Sequence, residues 1–133
     1  MAYTLLGDGV IEALQGEIIS EHGGLSGLKN PDLLHMVQAR VAVLNESAAT
    51  DLASLATCYG YALAHDELFH GANLATALVA IELFLRLNGH VLMADDMTCC
   101  LGLLVVGQGE LSAEGFAHWI RDHIAEAAPS PAP

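Results

Sequence analysis

The sequence predicts an all-α fold: a compact single-domain bundle of about six helices around one buried central helix. Three observations carry this expectation. Apolar residues recur at spacings of three and four along almost the whole chain, no stretch alternates apolar with polar, and capping residues and glycines punctuate the sequence at helix-length intervals.

Val10, Leu14 and Ile18 recur every four residues up to Gly23-Gly24, so a first helix is expected over about 8–22, stopped by residues that tolerate left-handed backbone. Asn30-Pro31 is an N-cap followed by a proline at the first helical position. Leu34, Val37, Val41 and Leu44 then mark the buried face of a second helix. Asp51 opens a third, whose Leu52, Leu55, Ala56, Tyr59 and Leu63 repeat the pattern to about His65. From about Ala72 to Asn88 hardly any polar face remains, and such a helix is expected at the centre of the bundle. Asn88-Gly89 ends it. Asp95-Asp96 caps a fifth helix through about Val106, broken by Gly107 and Gly109, and Ser112 caps a sixth that sets Phe116, Trp119, Ile120 and Ile124 on one side. The domain is expected over residues 1–127. Residues 128–133, Ala-Pro-Ser-Pro-Ala-Pro, read as a disordered tail.

A chain of 133 residues with 53% hydrophobic side chains fills one core and is not a disordered segment. Four basic residues against sixteen acidic ones give a formal charge of −12, which opposes any approach to nucleic-acid phosphates and favours a protein partner with a basic surface. Aromatic residues make up only 5%, which also removes most stacking platforms for single strands. Cys58, Cys99 and Cys100 are odd in number and two are adjacent, a usage that fits a reducing compartment. The N-terminal residues lack a basic region ahead of an apolar run, and the longest apolar stretch, 74–85, contains Glu82 and meets Arg86. The expected location is the cytoplasm.

One segment concentrates reactive side chains. His65-Asp66-Glu67-Leu68-Phe69-His70-Gly71-Ala72-Asn73 places four ionisable groups in six positions, directly before the expected central helix. Asp66 with His70, or Glu67 with His70, has helical ligand spacing, but His65 and His70 diverge and no zinc pattern is present. A solvated loop capping the next helix is the plainer reading, and no metal is expected. Nucleophilic catalysis has no support either: there is no Gly-x-Ser-x-Gly elbow, and Cys58 falls mid-helix, where a buried inert thiol is expected. Gly23-Gly24-Leu25-Ser26-Gly27 follows a helix rather than a strand and terminates that helix instead of cradling phosphate.

The order of features nonetheless resembles the Fic/Doc family, in particular the short death-on-curing toxins of phage and plasmid toxin–antitoxin modules. Residues carrying the resemblance are Glu21-His22-Gly23-Gly24-Leu25-Ser26-Gly27-Leu28, Gln38-Ala39-Arg40-Val41, Phe69, Ala72-Asn73, Thr76-Ala77-Leu78, Phe84-Leu85-Arg86-Leu87-Asn88-Gly89-His90 and Gly109-Glu110-Leu111, across roughly residues 5–125. The resemblance implies a compact all-α domain in which a loop and the N-terminus of the central helix form an anion hole for nucleotide phosphates. The family signature H-x-F-x-(D/E)-x-N-(K/G)-R-T-A lies on this chain without gaps, anchored by Phe69, Asn73, Thr76 and Ala77. Glu67 then stands at the histidine, Gly71 at the metal-binding carboxylate, Leu74 at the lysine or glycine, and Ala75 at the phosphate-clamping arginine.

Each departure touches the family's reaction, transfer of a phosphoryl or nucleotidyl group to a protein hydroxyl. The histidine accepts the hydroxyl proton, whereas a carboxylate in its place repels incoming phosphates. The carboxylate holds magnesium, and the basic residues clamp developing phosphate charge. Glycine, leucine and alanine do neither, and rescue by His65 or His70 requires a shifted loop register. The expected function is therefore a catalytically inactive member of the family, encoded by a phage or mobile element and needing no cofactor. It acts as an acidic protein-binding module or inhibitor, with His65, Asp66, Glu67, His70 and Asn73 as the candidate contact region. The alternative is a death-on-curing-type toxin that phosphorylates or nucleotidylates a host protein hydroxyl with ATP and magnesium and is paired with a cognate antitoxin. A metal-dependent hydrolase built on His65, Asp66, Glu67 and His70 is a third reading.

Overall fold

The computed structural model describes residues 2–128, and the expected tail from residue 129 onward lies outside them. The described chain contains six helices: α1 (Val10–His22), α2 (Pro31–Asn45), α3 (Leu52–Ala64), α4 (Asn73–Leu87), α5 (Asp96–Gly107) and α6 (Ala113–His123). The starts follow the chemistry of the sequence. Asn30, Asp51, Asp95 and Ser112 each accept, through a side-chain oxygen, the backbone N–H three residues on, which satisfies one otherwise orphaned donor per helix.

Two features depart from expectation. The most buried helix is α3, with ten buried residues, and α3 packs against α2, α4, α5 and α6. Helix α4 buries Thr76, Ala77, Ala80, Ile81, Phe84 and Leu85 on one side and leaves Leu74, Val79 and Leu87 exposed on the other. Its apolar periphery faces a surface rather than a core. The chain also holds a short antiparallel ribbon, β1 (His90–Leu92) with β2 (Ile124–Glu126), in the register His90 to Glu126 and Leu92 to Ile124. Three residues per strand are too few for alternation to register in the sequence.

The α3–α4–α6 contact is close because Gly60 has no side chain: a Cβ there would lie 2.6 Å from Ile81 Cδ1 and 3.1 Å from the Phe116 ring. Around it Tyr59, Phe84, Phe116 and Leu63 are fully buried, and the Tyr59 and Phe84 rings meet at 5.3 Å in a tilted pair. The Tyr59 hydroxyl accepts the Leu6 N–H, so the core also ties down the N-terminal segment. Two asparagines fix that segment further. Asn45 exchanges two hydrogen bonds with the Tyr3 backbone and Asn88 two with Thr4, all at 2.8–2.9 Å. On α6, Trp119 stacks on His123 at 4.4 Å and covers α5 at Gly102, where a Cβ would come within 3.2 Å of the indole. Among the described residues, no helix is long and apolar enough to cross a membrane.

Candidate functional site

The segment after α3 is a loop that alternates between core and solvent. Leu68 and Phe69 are buried, while Asp66, Glu67 and His70 are exposed. Burying the two apolar side chains sets the loop's orientation, and backbone pairing sets its register. The Lys29 N–H donates to the Leu68 carbonyl at 2.9 Å, and the His70 N–H donates to the Gly27 carbonyl at 3.1 Å, around a Leu28–Phe69 bridge. Gln15, 2% exposed on α1, donates through its amide to the carbonyls of Leu25 and Gly71 at 3.1 and 3.2 Å. Asn73 closes the turn, accepting the Phe69 N–H at 2.9 Å and donating to the Phe69 carbonyl at 2.8 Å.

The ionisable side chains do not converge. His65 stacks on Tyr61 at 4.5 Å, with Nδ1 2.8 Å from the Asp66 carboxylate. Glu67 takes left-handed backbone, φ 51°, and points to Lys29 Nζ at 3.0 Å. His70 shares neither pair. Among the described residues, no group of three His, Cys, Asp or Glu side chains is placed to hold a metal ion.

Helix α4 starts differently from α2, α3, α5 and α6. The loop supplies no side-chain cap, contrary to the plainer reading of this segment: the N-cap position is Ala72 in left-handed backbone, φ 57°. The first intrahelical donor is Thr76, bonded to the Ala72 carbonyl at 2.9 Å, so the helix start keeps free N–H groups over Asn73, Leu74 and Ala75. Leu74 and Ala75 are exposed beside them, and the Thr76 hydroxyl is buried without a hydrogen-bond partner. Gly71 sits closed against the chain, because a Cβ there would lie 2.9 Å from the Leu25 carbonyl oxygen and 3.2 Å from its nitrogen. No larger residue fits at 71 unless the Leu25 backbone moves.

Beside this loop runs a mostly apolar cleft of about 880 Å³ between α2, α3 and the start of α6, lined by Met36, Arg40, Leu44, Cys58, Tyr61 and Ala117 and reaching Asp66 at one end. Cys58 is half-buried here, and burial pushes its thiol up while the Arg40 guanidinium offsets part of that rise. A thiol held protonated in this way is a poor nucleophile.

No family model matches the chain. It is 38% identical over 115 residues to the protein named protein kinase doc of Escherichia phage P1, an alignment that spans 82% of this chain and 86% of that protein. The chain belongs to the Fic/Doc family. The all-α architecture agrees with that membership, and the Fic/Doc motif falls on the loop before α4 and on the first turn of that helix. Asn73, a motif residue, shapes the turn. On the gap-free placement of the signature made from the sequence, Glu67, Gly71, Leu74 and Ala75 fall at its histidine, carboxylate, lysine or glycine, and arginine. Sequence spacing gives no hint of Gln15 or Lys29, which reach the loop from α1 and from the segment before α2.

Proposed function

We propose that this Fic/Doc chain acts as a protein-binding module without phosphoryl transfer, encoded by a phage or mobile element, whose acidic surface meets a basic partner surface. The observation that carries this reading is position 71. The motif's metal-binding carboxylate needs a Cβ there, and the Leu25 backbone occupies that space. The residues present do not suit a magnesium nucleotide in other respects. Leu74 and Ala75 offer no cation to phosphate, and the Glu67 carboxylate, at the signature's histidine position, is engaged with Lys29 instead of free to accept a proton. A register shift bringing His65 or His70 to the histidine position is opposed by the hydrogen bonds from Lys29, His70 and Asn73 that pin the loop. A rigid domain of net charge −12 also imitates a polyanion, which suits an inhibitor of a basic, nucleic-acid-binding surface.

The second reading is a toxin of a toxin–antitoxin module that phosphorylates or nucleotidylates a host protein hydroxyl. It is favoured by the relative, which is named a protein kinase. Under it the cleft between α2, α3 and α6 is a seat for a helix of the cognate antitoxin. One experiment separates the two. The full chain is titrated with magnesium ATP by calorimetry and incubated with a host extract and, in parallel, γ-labelled ATP to read phosphoryl transfer and α-labelled ATP to read nucleotidyl transfer. The expected outcome is no complex tighter than millimolar and no labelled host protein. A micromolar complex, or a labelled host protein, establishes the toxin reading instead.

A further inference from the structure

Ala75 stands where the Fic/Doc signature has its arginine and Leu74 where it has lysine or glycine, and both belong to a larger surface. Leu78 and Val79 continue the same side of α4, and Cys100 and Leu103 of α5 face them across a shallow, almost wholly apolar cleft of about 290 Å³. Helix α5 runs antiparallel to α4: a Cβ on Gly107, at its C-terminal end, would lie 3.4 Å from Leu74 Cδ2, whereas Asp96 and Cys99, at its start, face Glu82. Helix α5 buries only Cys99, Leu103 and Val106, and it leaves Met97 68% and Leu101 55% exposed. A helix apolar on nearly all sides and so little covered marks a contact surface.

Charge decides what covers it. At the end of the cleft away from Leu74 stand the carboxylates of Glu82, Asp95 and Asp96. Partial burial and the Asp96 charge push the Glu82 carboxyl up, and Arg86, one turn on, offsets only part of this. Burial and the same three carboxylates push up the Cys99 thiol. A second copy of a chain with net charge −12 would bring two acidic ends and two acidic molecules together, whereas a cationic group relieves the repulsion already there. The eight-residue step along α4 from Leu74 to Glu82 spans about 12 Å, which is two turns of a partner helix.

We infer that the α4–α5 face, from the altered clamp positions Leu74 and Ala75 to the Glu82–Asp96 end, docks a partner-protein segment bearing an apolar stripe with Lys or Arg at one end. This rests on the protein-binding reading above and adds to it a surface and a partner chemistry. Leu74 and Ala75 thereby join the start of α4 to an apolar face that the signature's arginine would interrupt.

The test uses the full chain and a fluorescent amphipathic helical peptide with a leucine stripe and lysine flanks. Controls are a peptide with glutamate flanks and a scrambled peptide of the same leucine and lysine content. The leucine–lysine peptide is expected to bind, the controls at least about tenfold more weakly. Val79→Asn and, on α5, Leu104→Asn at a residue 43% exposed are each expected to weaken it about tenfold, Glu82→Gln and Asp96→Asn together to reduce its salt dependence, and Met36→Glu in the α2–α3 cleft to leave it unchanged. Bound peptide is expected to slow alkylation of Cys100, the exposed cysteine. The inference is overturned by no binding, by equal binding of the scrambled peptide, by loss on Met36→Glu with the α4–α5 variants unaffected, or by self-association of the chain that Val79→Asn abolishes. Melting curves of each variant separate a lost surface from a lost fold. Nucleotide binding in the earlier titration would sink the non-catalytic reading alone, and loss of peptide binding with a silent nucleotide titration would sink this inference alone.

Discussion

The Asp51 carboxylate serves two neighbours, capping α3 through the Ser54 N–H and hydroxyl while pairing through both oxygens with the Arg121 guanidinium of α6. The Arg121 hydrogen bonds, helped by the Ser54 donors against partial burial, hold this carboxyl well below the usual carboxylate range. A depressed folded-state value means the group adds stability above its unfolded value, near 3.8, and loses that contribution as pH falls toward the folded value. Both side chains are about two-fifths exposed, so water screens much of the pair. Asp51→Asn, which can still cap α3, is therefore expected to cost less than about 1 kcal/mol at neutral pH. Asp51→Ala, which also loses the cap, is expected to cost about 1 kcal/mol more. Urea unfolding checks both, and the gap between the native chain and Asp51→Asn should close as pH drops below the ordinary carboxylate value.

Among the elements, α4 has the most strained start. Ala72 at φ 57° pays the steric penalty of an L-residue in left-handed backbone, about 1–2 kcal/mol, which glycine avoids at an entropic cost of about 0.5–1 kcal/mol. Ala72→Gly is accordingly expected to stabilise the chain by up to about 1 kcal/mol and to raise the melting temperature by a few degrees. No cap-forming residue precedes α4, so its beginning is legible in the sequence only through periodicity and the motif. The other helix starts that carry a side-chain cap, at Asn30, Asp51, Asp95 and Ser112, are legible because cap and bonded N–H lie three residues apart. What escapes is whatever depends on distant chain. The ribbon joins residues 90–92 to 124–126, and Gln15 reaches a carbonyl 56 positions away. The apolar run of α4 looks like a central helix in one dimension, yet α3 buries ten residues and α4 six, and only tertiary packing distinguishes the two.

At the scale of the whole molecule, charge is the dominant surface property. Two of the four basic residues, Lys29 and Arg121, are already held in ion pairs with Glu67 and Asp51, so the sixteen acidic residues are little offset over the rest of the surface. Association with a basic partner is expected to slow as salt rises, on the scale of a Debye length of about 8 Å at physiological ionic strength. Reversing Asp66 and Glu67 to lysine is expected to slow it further in a stopped-flow measurement while leaving the melting temperature nearly unchanged, since exposed ion pairs contribute about 1 kcal/mol at most. Normal association of that double variant, with no salt dependence, would exclude the loop and its charge from the encounter.

The seam between α5 and α6 also makes the molecule self-reporting. Trp119 is its sole tryptophan, and the indole lies over Gly102 with the His123 ring stacked against it. All intrinsic indole emission therefore originates one helix away from the open α4–α5 surface. An event that shifts α5 against α6 changes the surroundings of that chromophore, so the unlabelled native chain carries its own optical readout of what happens there.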